Sequence, residues 1–258
     1  MNEGYPIKIR DVSFASPRGG RVPAYLILPP GKGPFPAVVY LHGSGGGRLD
    51  LVAHGGWLAA RHAVALTIDS PLARRPRPVV PAGIAGIRKE RDLTVQTVID
   101  LRRAIDLLQS LPQVADARIG FVGYSAGART GAILAGVERR VSAFVLMSGG
   151  SVPIRRYVTA APATLRAEVS RLLGPVDPLR NVRRAAPARL FFQNGTRDRV
   201  VPRSALLALF RAASEPKELR WYRAGHGLTA RAYRDQLEWL ARELRLSGAR
   251  VPGARAGP

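Results

Sequence analysis

Apolar positions recur along this chain in two rhythms. Short stretches with apolar centres read as strands: AVVYL (37–41), which is fully apolar, and AVALTID (63–69) as buried strands of a parallel sheet, and RIGFVG (118–123), SAFVLMS (142–148) and ARLFFQNG (188–195) as further strands. ELRWY (218–222) is a further strand. Longer stretches carry apolar residues every three or four positions and read as helices: 52–62, 91–111, 125–137, 203–213 and 232–245, with another around 155–173. The clearest is 91–111, where Leu93, Val98, Leu101, Ile105 and Leu108 share one face and Pro112 ends the element. At the start, residues 5–14 and 22–28 flank the turn sequence SPRGG (16–20) and predict an antiparallel hairpin. PPGKGPFP (29–36) reads as a loop.

Alternation of short apolar strands with helices predicts an α/β fold: a mostly parallel central sheet with helices on both faces. No linker divides the chain, so a single domain over 1–246 is expected. SGARVPGARAGP (247–258) has one large apolar residue and reads as a disordered tail. Two segments interrupt the alternation. The first, 70–90, is so rich in proline and glycine up to residue 86 that it reads as a long loop. The second, 149–186, reads as a short helical insert or lid.

Composition narrows the function classes. The absence of cysteine excludes disulfides, thiolate metal sites and a cysteine nucleophile. MNEGYPIKIR lacks the apolar run of a secretory signal, and no apolar stretch approaches the roughly 18 residues that span a bilayer; no membrane partner and a cytoplasmic location are expected. The net charge of +22 raises the question of nucleic acid. Its arginines are spread along the chain without the interleaved aromatics that stack bases, so nucleic acid is not an expected partner. Oligomeric state is not legible.

The candidate chemistry sits at the end of RIGFVG. Gly123-Tyr124-Ser125-Ala126-Gly127 places a serine between two glycines where a strand meets a helix, the nucleophile elbow. The tight turn lifts Ser125 above the sheet edge in a strained backbone conformation, and the flanking glycines avoid a clash. A serine nucleophile needs a base. Of the four histidines, His226 in RAGHGLT lies in a loop between the last strand and last helix; His54 and His62 flank an early helix and read as packing or surface residues. The base needs an acid. Asp198, in the loop after ARLFFQNG, lies at the same sheet edge as Ser125; Asp177, which precedes that strand, is the rival. Oxyanion donors are expected from Ala126 N–H and from the loop His42-Gly43-Ser44-Gly45-Gly46-Gly47, with Ser44 N–H favoured and Gly45 N–H next. His42 is expected to hold that loop by hydrogen bonds. Arg74, Arg75 and Arg77 in the first interrupting segment, and Arg155, Arg156, Arg183 and Arg184 in the second, are read as solvated rather than as an anion site.

Taken together, LHGSGGG, GYSAG, NGTRDRVVP and GHGLT, in that order, make the chain resemble the α/β-hydrolase superfamily. The likeness is to serine esterases related to dienelactone hydrolases and to the catalytic domains of acyl-peptide hydrolases. Dienelactone hydrolases proper use cysteine, which this chain lacks. The resemblance implies hydrolysis of a small-molecule carboxylic ester, thioester or lactone through an acyl-serine, with no metal or organic cofactor. A competing expectation is a non-catalytic scaffold of this fold that binds an anionic partner through its charge.

Overall fold

The computed structural model describes residues 7–151 and 153–246; the reading of 247–258 as a tail therefore lies outside the described residues. Those residues form an eight-stranded sheet in the order β1-β2-β4-β3-β5-β6-β7-β8. Strands β1 (Lys8–Ala15) and β2 (Arg21–Leu28) are the N-terminal hairpin. β2 runs antiparallel to β4 (Val64–Ile68). From β4 onward, through β3 (Phe35–Leu41), β5 (Val114–Tyr124), β6 (Val141–Met147), β7 (Arg189–Gly195) and β8 (Lys217–Tyr222), all pairings are parallel. β3 and β4 are buried at every position, as their largely apolar sequences require. β1, at the sheet edge, is exposed or half-buried throughout.

Helices cover both faces. α1 (Val52–Ala59) and α8 (Ala230–Glu243) pack over Val38, Tyr40, Val145 and Phe191. α2 (Gly83–Gln109), α3 (Ala126–Ala135) and α7 (Arg203–Ala212) pack over Val39, Leu41, Phe121, Phe144 and Phe192. Trp239 of α8 is fully buried against Phe191.

Two sequence expectations need correction. The segment 70–90 is a loop only as far as residue 82; α2 begins at Gly83, eight residues before the predicted start. The prolines that argue against helix stop at Pro81, and after Gly86 the run Arg88-Lys89-Glu90-Arg91 is made of good helix formers. Gly86 is buried, and a Cβ there would lie 2.1 Å from the Pro81 carbonyl oxygen, so this glycine marks close packing rather than a break. In the insert, the single helix expected over 155–173 is two: α4 (Arg155–Ala160) and α5 (Arg166–Leu173), followed by α6 (Pro178–Val182). Pro162 forces Ala161 into an extended conformation and ends α4. Arg88 of α2 forms an ion pair with Glu168 of α5, tying the insert to the body.

The strand order reverses between β3 and β5. β3 leads to β4 on one side, and the chain then crosses back to β5 on the other. A crevice opens at the carboxyl ends of two strands whose connections diverge in this way.

Candidate active site

β5 ends at Tyr124, and Ser125 follows with φ 54° and ψ −112° before α3 begins. A positive φ is costly for a residue with a side chain, and here the surroundings impose it. Ser125 N–H donates to Met147 O on β6 at 2.8 Å. A Cβ on Gly127 would sit 2.2 Å from Leu41 O, so the first turn of α3 lies directly against the end of β3 and only glycine fits. The turn is thus pinned from both neighbouring strands.

His226 and Asp198 approach from loops after β8 and β7. Thr196 N–H and Arg197 N–H donate to Tyr222 O and Ala224 O at 2.8 and 2.9 Å, so the two loops are laced together. His226 Nε2 lies 2.9 Å from Ser125 Oγ, and His226 Nδ1 lies 2.8 Å from Asp198 Oδ2. The Asp198 side chain is 1% exposed. Its other oxygen accepts N–H groups of Val200 and Val201 at 2.8 and 2.9 Å. Burial pulls the Asp198 carboxyl upward, but His226 and these two N–H groups outweigh it and hold the group below the usual carboxylate range. An ionised carboxylate only accepts, so Nδ1 carries the hydrogen and Nε2 turns a lone pair toward Ser125.

Asp177 does not meet His226. It caps α6, accepting Leu179 N–H at 2.9 Å. His54 stacks on Trp57 and packs edge-on against Tyr233, and burial pushes it down to about 4. Tyr124 faces His226 with ring centroids 5.3 Å apart.

The loop after β3 lies beside the elbow. A Cβ on Gly43 would be 3.3 Å from Ser125 Cβ. Gly45 has φ +78°, a left-handed conformation that lets the chain reverse over three glycines. Among the described residues, the N–H groups of Ala126, Ser44 and Gly45 have no hydrogen-bond acceptor. His42 is buried; its Nδ1 is 2.7 Å from Gly43 O, and its Nε2 accepts Ser70 N–H at 3.1 Å.

A cavity of about 450 Å³ adjoins this loop and the start of α3. Ala126, Gly127 and Ile133 form one wall, Ile87 and Leu93 of α2 another, and Ile154, Tyr157 and Leu173 of the insert a third. The early start of α2 is what brings Ile87 and Glu90 to this wall. Of the arginines read as solvated, Arg77 lines the cavity, Arg155 and Arg156 are exposed on α4, and Arg183 and Arg184 are exposed after α6. Arg74 departs from that reading: its side chain is 12% exposed and forms an ion pair with the fully buried Asp100 at 2.5 Å.

Two residues that bear on the site have no sequence signal of their own. Ser148, buried after β6 at φ 49°, donates from Oγ to His226 O at 2.8 Å and so fixes the backbone of the histidine loop. Asp69, after β4, accepts Arg48 N–H at 2.7 Å. Each is a small polar residue at the carboxyl end of a strand, which is where such partners are to be sought.

Sheet order, elbow and loop arrangement are those of the α/β-hydrolase fold. Residues 101–174 match the family described as BAAT / Acyl-CoA thioester hydrolase C terminal. Peroxisomal succinyl-coenzyme A thioesterase of Mus musculus is 33% identical over 141 residues, covering 55% of this chain and 30% of the relative. The chain spans about a third of the length of the curated relatives it matches. Among solved structures, acetyl xylan esterase from Paenibacillus sp. R4 superposes with a TM-score of 0.77 at 23% identity, over 93% of this chain and 86% of that one. A puromycin-hydrolyzing peptidase of Mycobacterium tuberculosis gives 0.73 at 21% identity, over 96% and 41%. Among the described residues no helix is long and apolar enough to cross a membrane, and no cluster of three or more His, Cys, Asp or Glu is placed to hold a metal ion.

Proposed function

We propose that the protein is a serine hydrolase that cleaves carboxylic esters or thioesters of small molecules through an acyl-Ser125 intermediate. The observation that carries this reading is the continuous hydrogen-bond chain Ser125–His226–Asp198 at a strained elbow. A structural serine has no need of a buried, ionised partner two hydrogen bonds away.

In the first step His226 Nε2 takes the Ser125 hydroxyl proton as Oγ attacks the carbonyl carbon. Negative charge develops on the carbonyl oxygen, where Ala126 N–H and Ser44 N–H stabilise it; the positive end of α3 adds to this. Asp198 stabilises the imidazolium. The intermediate collapses as the alcohol or thiol departs with the proton from His226 Nε2. In the second step His226 activates a water that attacks the acyl carbon, and the carboxylic acid leaves with Ser125 restored. The cavity beside Ala126 receives the acyl group, against Ile87, Leu93, Ile133 and Leu173. Thioesters enter the proposal through the matching family and the thioesterase relative, and the same steps serve them with a thiol as leaving group.

The test is labelling with a fluorophosphonate probe together with turnover of p-nitrophenyl esters and acyl thioesters of increasing acyl length. Ser125→Ala should abolish both labelling and turnover while keeping the wild-type melting temperature, since the half-buried hydroxyl fills no core space. Turnover at the wild-type rate by this variant would sink the proposal.

A further inference from the structure

The loop that carries the proposed oxyanion donor is held at both ends by two adjacent residues, Asp69 and Ser70, that directly follow β4. At its start, Ser70 N–H donates to His42 Nε2, and His42 Nδ1 reaches Gly43 O. At its end, Arg48 N–H donates to Asp69 Oδ1 at 2.7 Å, with Arg48 Nε 3.6 Å from Asp69 Oδ2. A Cβ on Gly47 would come within 3.2 Å of Asp69 Oδ1, so the loop lies directly on this carboxylate. Asp69 is itself fixed. Its N–H donates to Pro23 O at 3.0 Å, and its carbonyl accepts Arg74 Nε and a terminal Arg74 nitrogen at 3.3 and 3.0 Å. Arg74 is anchored in turn by buried Asp100, whose second oxygen accepts the Ser16 hydroxyl at 2.6 Å.

We infer that Asp69 is a positioning residue for the oxyanion loop: its carboxylate sets where Ser44 N–H stands relative to Ser125, and Arg74 with Asp100 keeps that carboxylate in place. This rests on the acyl-transfer reading for its effect on rate, but not for its effect on the loop. Burial explains why the arrangement is stiff. The Asp69 and Arg74 side chains are 14% and 12% exposed and Asp100 is inaccessible, so water competes little for these bonds. An oxyanion donor works only when it is already aimed at the place where charge develops, and displacing one by an ångström removes most of its effect. A carboxylate holding one end of a six-residue glycine-rich loop is therefore a control on rate rather than on substrate binding.

The experiment compares Asp69→Asn, Asp69→Ala and Glu138→Gln with wild type. Asp69→Asn keeps an oxygen for Arg48 N–H; Asp69→Ala removes it. Glu138→Gln weakens an ion-pair cluster beyond the far end of α3 and controls for general loss of stability. Active sites are counted by fluorophosphonate titration, and kcat and KM are measured per titrated site. Asp69→Ala should lose about 10²-fold in kcat with little change in KM, Asp69→Asn less than about 10-fold, and Glu138→Gln nothing. Amide hydrogen exchange of 43–48 should speed up in Asp69→Ala and stay at the wild-type rate in Glu138→Gln. If Asp69→Ala does not fold, Asp69→Ser takes the same measurements. Unchanged loop exchange in the Asp69 variants would overturn the inference, as would a loss of kcat equal to that of the Glu138 control. Wild-type protein that is neither labelled nor active would overturn the acyl-transfer reading instead, and loop exchange would still decide the role of Asp69.

Discussion

Asp198 and Asp177 are both largely buried near the carboxyl edge of the sheet, yet their surroundings assign them different tasks. Asp198 has one oxygen committed to two backbone N–H groups and the other to His226. Its contribution depends on charge and on acceptor character. Asp198→Asn keeps the shape but presents an N–H₂ group to Nδ1, and this selects the wrong imidazole tautomer. Turnover should fall by about 10⁴-fold. Asp177 caps a short helix, a task asparagine performs about as well. Asp177→Asn should therefore keep turnover within a few-fold and stability within about 0.5 kcal/mol. Both variants are compared at equal folded concentration; inactivation by the Asp177 change would show that the acid had been misassigned. Ser125, His226 and Asp198, which the structure joins by hydrogen bonds, were legible as candidates in the sequence because each follows a strand in a short loop. Ser148 and Asp69 occupy equivalent places, but their partners are backbone groups supplied by loops distant in sequence, and no local pattern announces such partners.

At the scale of elements, strands were easier to read than helix ends. β3 is apolar throughout, β4 carries a single buried threonine, and β7 centres on Leu190, Phe191 and Phe192; both faces of each are covered, and their cores fall where expected. The start of α2 and the break between α4 and α5 were misread because glycine and proline act through context. Gly86 is tolerated inside a helix by close packing, whereas Pro162 ends one. Ion pairs then fix how the helices meet. Arg140, leading into β6, joins Glu138 after α3 to Asp106 and Gln109 of α2. Burial pushes Glu138 upward, but its bonds from Arg140 and Arg102 prevail and hold it at about 2, against 4.5 for a free side chain. A depressed folded value means that this contribution is complete above about pH 4.5 and is lost as pH falls toward 2. Its size is on the order of 2 kcal/mol once screening at the partly open arginines is allowed for. Thermal melts of Glu138→Gln and wild type should differ at pH 7 and converge between pH 4.5 and 2. A gap that stays constant through that range would show that the pair contributes nothing through charge.

For the molecule as a whole, the N-terminal hairpin closes one edge of the sheet far from Ser125, yet it is not remote from the site. Asp11 on β1 holds the Arg48 guanidinium at 2.5 Å, and Ser16, at the end of the same strand, donates to Asp100. β1 pairs with one neighbour only and has no fully buried residue, which places it among the least protected parts of the fold. A weakly protected edge strand thus carries the outermost supports of the proposed oxyanion loop. The protein should behave as though fitted with a fuse: mild denaturant should extinguish turnover while the sheet is still intact. Turnover and the fluorescence of buried Trp239, followed in one urea series with Trp57 and Trp221 replaced by phenylalanine, should give separate midpoints, with turnover lost first. Coincident midpoints would mean that the hairpin and the core come apart together. The separation, where found, would mark a range of conditions in which the chain is folded, able to recover on dilution, and switched off.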